Sequence, residues 1–76
     1  MKLPPLPPLP HTVTPDPDRL FVEFQIADLN EAGADANRVV QVVREACRAN
    51  GVELEDRPWT AVVDIENGRI VVMVKR

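Results

Sequence analysis

One cysteine and one histidine among 76 residues leave little from which to build a thiol, imidazole or soft-metal site. Cys47 has no second thiol for an internal disulfide and belongs to no metal-ligating quartet, which suits a reducing cytoplasm. His11 falls in a proline-rich segment, where no rigid element holds it within the ~0.5 Å that a catalytic group demands. Gly33, Gly51 and Gly68 are the only glycines, each accounted for by a loop, a helix stop or a turn, so a glycine-rich phosphate cradle is missing. No apolar run approaches the ~20 residues needed to span a bilayer. The opening Met1-Lys2, followed by alternating leucine and proline, also lacks the continuous apolar stretch of a signal peptide. Carboxylates are plentiful, but Asp16, Asp18, Asp28, Asp35, Glu53, Glu55, Asp56, Asp64 and Glu66 show no calcium-loop spacing and read as solvated charge. No catalytic, cofactor-binding or metal-binding residue is expected, and the chain is expected in the cytoplasm, away from membranes.

The formal charge of −3 argues against a protein that grips phosphate backbones, since that binding runs on clustered lysine and arginine. Nucleic acid is therefore not expected as a partner, although Arg38, Arg44, Arg48, Arg69, Lys75 and Arg76 provide the residues for a third reading of that kind. The length permits one domain. A domain so small buries only about 60% of the surface of its unfolded chain, which favours covering more through a second copy, and a homodimer is expected.

Proline is abundant where other residues are scarce. Leu3 to Pro10 alternate leucine and proline, and Pro15 and Pro17 continue the bias, so residues 1–18 are expected as an extended arm in polyproline II form. At about three residues per turn, Leu3, Leu6 and Leu9 line one side and suit docking on a surface. Lys2, Pro5 and Pro8 also satisfy a spacing read by SH3 domains, a short pattern frequent by chance.

Residues 19–76 read as a βαββ domain. Leu20, Val22, Phe24 and Ile26 alternate with Phe21, Glu23 and Gln25, giving a first strand over Arg19–Ala27. Asp28–Ala34 reads as a loop, and Asp35 as the N-cap of a helix over Ala36–Ala49, whose apolar stripe holds Ala36, Val39, Val40, Val43, Ala46 and Cys47. Asn50-Gly51 supplies the helix stop. After a connector over Val52–Pro58, strands over Trp59–Glu66 and Arg69–Lys75 flank Asn67-Gly68, the signal for a two-residue type I′ hairpin. That turn would set Ile65 opposite Ile70, Val63 opposite Val72 and Ala61 opposite Val74. The expected fold is α+β: a three-stranded antiparallel-type sheet in order 1-3-2, a split βαβ and half of a ferredoxin-like fold, with one helix on one face. Ala61, Val63 and Ile65 are expected beneath the helix.

The face turned away from the helix then gathers Phe21, Val62, Val71 and Met73, a large apolar set for an exposed surface. The Leu-Pro arm, a second copy, a foreign protein or a small apolar ligand are the possible covers. The helix's outer face carries Arg38, Arg44 and Arg48, either a docking face for an acidic partner or ordinary solvated charge. Cys47 lies on the core stripe and is expected to pack rather than react. Trp59, placed opposite Arg76, either closes the end of the core or stands at an interface rim.

The opening Met-Lys-Leu-Pro-Pro-Leu-Pro-Pro-Leu-Pro resembles the start of small accessory proteins encoded by bacteriophages and prophages. The likeness covers about ten residues and implies a short protein that acts by stoichiometric binding, for example on a host enzyme or a defence complex such as CRISPR machinery. Together these readings give a non-enzymatic protein-protein interaction protein. The leading form is a phage-encoded inhibitor of anti-CRISPR type acting by steric occlusion. The alternative is a small subunit or assembly module of a larger complex.

Overall fold

A computed structural model describes residues 9–76. Leu3 and Leu6, and the Lys2, Pro5 and Pro8 spacing, lie outside the described residues. The fold is α+β: a four-stranded antiparallel sheet with two helices. In chain order the elements are β1 (Thr12–Pro15), β2 (Arg19–Gln25), α1 (Ile26–Ala32), α2 (Ala36–Ala49), a 3-10 turn (Leu54–Asp56), β3 (Trp59–Asp64) and β4 (Arg69–Lys75). The expected three-stranded, one-helix arrangement is thus corrected to four strands in order β1-β2-β4-β3, with α1 added.

The added strand comes from the segment expected to be a polyproline II arm. Thr12-Val13-Thr14 is β-branched throughout and pairs antiparallel with β2, Val13 opposite Val22 and Thr14 opposite Phe21. Pro15 ends this strand at the sheet's edge, where its missing N–H costs no ladder bond. The added helix replaces the end of the expected first strand and the loop after it. Leu29 is buried on α1, and Gly33 at φ 61° closes the helix by returning its N–H toward the Asn30 and Leu29 carbonyls. Asn30 and Gly33 are thus the close of a helix rather than the body of a loop.

α2 follows its expected bounds. The Asp35 carboxylate accepts the Arg38 backbone N–H at 2.9 Å, satisfying one of the donors left open at the helix start. At the other end Gly51 stands at φ 75°, and the buried Val52 sends its N–H back to the Cys47 carbonyl.

The hairpin is where the sequence misleads most. Asp64, not Glu66, stands opposite Arg69, so β3 is slid by two residues against β4 relative to the expected register. A two-residue type I′ turn needs positive φ at both central residues, and Asn67 does not have it. Instead the Asp64 carboxylate accepts both the backbone N–H and the side-chain amide of Asn67, at 3.3 and 2.8 Å. That local closure draws Ile65 and Glu66 into a four-residue reversal. Gly68 completes it at φ 62° with its N–H on the Ile65 carbonyl.

Because side chains alternate along a strand, a shift of two returns each one to its own face. Ala61 and Val63 therefore keep the helix side, now opposite Val72 and Ile70, while Val62 keeps the outer side opposite Val71.

The core gathers over β2 and β4. Leu20, Val22, Phe24 and Val74 are fully buried and Val72 nearly so, beneath Leu29, Val43, Cys47, Val52 and Leu54, and Leu9 joins them. Ala61, Val63 and Ile65, expected in this core, are outside it: Val63 is 57% and Ile65 83% exposed. The physical reason is that α2 packs over β2 and the 3-10 turn instead of centring on the sheet, so its cover stops short of β3.

Candidate protein interface

β3 has a sequence in which nothing charged occurs from Trp59 to Val63, and it sits at the edge of the sheet. It is exposed on both faces through that whole stretch. The direction of its main-chain groups follows from one bond. The Lys75 N–H donates to the Pro58 carbonyl at 3.0 Å, and these two residues continue the β3–β4 register one pair beyond Trp59 and Val74. Hydrogen-bonded pairs alternate along an antiparallel ladder, so Thr60, Val62 and Asp64 turn their main-chain groups to β4. Trp59, Ala61 and Val63 turn theirs to the open edge. Protected edges carry lysine, a bulge or an inward charge, and between Trp59 and Val63 this one has none of the charged guards.

Around this strand three surfaces meet. On the outer face Phe21 stands opposite Met73 and Val62 opposite Val71, so the four residues expected to share a face do share it. Phe21, Val71 and Met73 are half-buried and Val62 is 44% exposed. The patch is bounded by an ion-paired bridge across three strands, in which Arg69 donates to Glu23 at 2.7 Å and to Asp64 at 3.1 Å. The Asn67 side chain, and then Arg69, hold the Asp64 carboxyl below the usual carboxylate range.

On the helix side the short reach of α2 leaves an apolar cleft of about 330 Å³. Val39, Val40 and Val43 wall it, Ala61, Ile70 and Val72 floor it, and Trp59 lies on its rim. Trp59 is 47% exposed and stands opposite Val74 rather than Arg76, the same two-residue slide seen along the strand. This cleft is absent from the sequence reading, which placed the helix squarely over all three strands. Its only advance sign was the position of Trp59–Glu66 at the end of the expected strand order.

The helix arginines are engaged within the chain. Arg44 pairs with Glu55, and Arg48 reaches Glu53 at 3.5 Å, so the acidic connector neutralises much of that face. The Glu55 carboxyl is lowered first by its own backbone N–H and then by Arg44. Arg38 lies on the same helix, beside the Asp35 cap.

Leu9, the one described leucine of the arm trio, is buried in the core on the helix side of the sheet, next to Val42 of α2. At that residue the arm docks on the face opposite to the Phe21, Val62, Val71 and Met73 patch. His11 is exposed at its surface, with its ring 5.9 Å from that of Phe24 and its Nδ1 2.7 Å from the Leu9 carbonyl oxygen. Cys47 is fully buried, and desolvation, then the nearby Glu55 charge, pushes its thiol pKa up.

Among the described residues no polar or charged side chain is buried, and no helix is long and apolar enough to cross a membrane. No protein-family model, curated protein or solved structure matches this chain.

Proposed function

We propose that this chain is a non-enzymatic protein-protein interaction module that works in the cytoplasm by covering a partner's surface. The observation that carries the reading is β3, an uncharged edge strand whose side chains are exposed on both faces from Trp59 to Val63. A small soluble domain gains nothing in stability from holding four apolar side chains and an unpaired edge in water, and such surfaces mark places that another molecule covers. The steric-inhibitor form of the proposal, a phage-encoded protein of anti-CRISPR type, draws its support from the resemblance of the opening residues. The assembly-module form draws support from the edge itself, because strand addition is a common way for a subunit to join a neighbour.

Nucleic-acid binding is disfavoured by charge: Arg44, Arg48 and Arg69 each face a carboxylate of this same chain.

The test is capture from a lysate of the cells that carry the gene, using the full chain as bait beside Val62→Asp. Val62 is half-exposed, so the substitution alters the surface and leaves the core intact. A partner recovered in stoichiometric amount by the wild type and lost with Val62→Asp supports the proposal. Recovery of nothing stoichiometric, or of the same proteins by both baits, overturns it.

A further inference from the structure

We infer that β3 pairs antiparallel with β3 of a second copy of this chain, about a two-fold axis through Ala61, to form one continuous eight-stranded sheet. The inference rests on the reading of β3 as an interaction strand and names the occupant of its open edge. The edge is self-complementary in a specific register. With Ala61 opposite the partner's Ala61, Trp59 comes opposite the partner's Val63 and Val63 opposite the partner's Trp59. All three positions are those whose N–H and carbonyl groups point outward, so each pair exchanges both of its hydrogen bonds.

Neighbouring registers fail on particular residues. An axis at Val62 would place Trp59 opposite the partner's Ile65, which belongs to the reversal and not to the strand. An axis at Thr60 would place Val63 opposite the partner's Arg57, which lies outside the strand. Only the Ala61 register engages every outward-pointing residue of the strand with an in-strand partner. It also places the smallest side chain of the strand on the two-fold axis and lays each Trp59 indole beside a Val63 that is otherwise 57% exposed.

A two-fold axis perpendicular to the sheet keeps the faces distinct. The helix-side clefts, walled by Val39 and Val40, join over the paired Ala61 residues into one trough. On the opposite face Thr60 lies beside the partner's Val62, so the two Phe21, Val62, Val71 and Met73 patches become one surface. A foreign strand finds no charge on this edge to select it, whereas a second copy supplies matching length, register and apolarity at once.

Light scattering coupled to size exclusion, at about 100 µM so that a micromolar dimer is well populated, is expected to return twice the 8.5 kDa chain mass. In hydrogen exchange the amides of Trp59, Ala61 and Val63 are expected to be slow in the dimer and fast on dilution, while Thr60 and Val62 stay slow at both concentrations. Ala61→Pro removes a donor that faces away from β4, and Val63→Lys puts a charge at the seam on an already exposed residue. Both are expected to give monomers with wild-type circular dichroism; should Ala61→Pro fail to fold, Val63→Lys decides. A single-chain mass, or a dimer that survives Val63→Lys with those three amides unprotected, overturns the inference. Lysate capture by the Val63→Lys monomer separates the two proposals, since a retained foreign partner leaves the interaction reading standing whatever the dimer does.

Discussion

Arg69 and Glu23 are 46 positions apart in the chain and 2.7 Å apart in the sheet, and Asp64 meets the same guanidinium at 3.1 Å. One side chain thereby ties β2, β4 and β3 together on the outer face, at the border of the apolar patch. Exposed ion pairs of this kind contribute modestly and weaken with salt.

The consequence is a defined acid response. The Asp64 carboxyl is depressed in the folded chain, so its contribution is present above the unfolded value of about 4 and is lost as pH falls through the folded value. In Arg69→Met that acid-side loss is expected to shrink without vanishing, because Asn67, the larger cause, is still present. Thermal melts of both proteins from about pH 7 down to pH 2 measure it. Parallel curves would show that Arg69 plays no part.

Leu9→Ala is expected to cost about 2–5 kcal/mol, the range for truncating a buried leucine. Urea denaturation with an unchanged slope reads this directly. A cost near zero would mean that Leu9 does not belong to the core.

The native Cys47 thiol is expected to resist alkylation at neutral pH, since burial both hides it and raises its pKa. Its labelling by a small disulfide reagent should speed up across the urea transition in step with unfolding. Rapid labelling without denaturant would contradict the packing.

The hairpin offset separates two otherwise similar substitutions. Ile65→Ala is expected to change stability by no more than about 0.5 kcal/mol, whereas Leu20→Ala, at a fully buried site, is expected to cost about 2–5 kcal/mol. Equal costs would restore the register in which Ile65 faces Ile70.

What the sequence made legible is what depends on periodicity. The alternation in Leu20–Gln25 placed one strand and the apolar run after Asn67-Gly68 another, the three- and four-residue spacing with Asp35 placed α2, and the parity of Phe21, Val62, Val71 and Met73 put them on one face. What remained hidden depends on competition between neighbours. Asn67-Gly68 signals a tight turn only until Asp64 competes for Asn67, and Gly33 signals a loop as readily as a helix close. β1 was masked because proline argues against a strand in general, although an edge tolerates it. The cleft beside β3 has no residue pattern of its own, and only the edge position of its strand hinted at it, since it arises from where α2 comes to rest on the sheet. A periodic pattern says which side of a helix is apolar and leaves open how far along the sheet it lies.

That lopsided placement of α2 divides the molecule by resilience. The β1 and β2 side is anchored by Leu9, Leu20, Val22, Phe24 and the helices, while β3 is held by β4 along a single margin. Partial opening should therefore begin at the Trp59 end and spare the opposite flank, as expected where few buried contacts restrain a segment. Whatever settles against β3 inherits the more pliable half of the domain, with the firmer half already in place behind it.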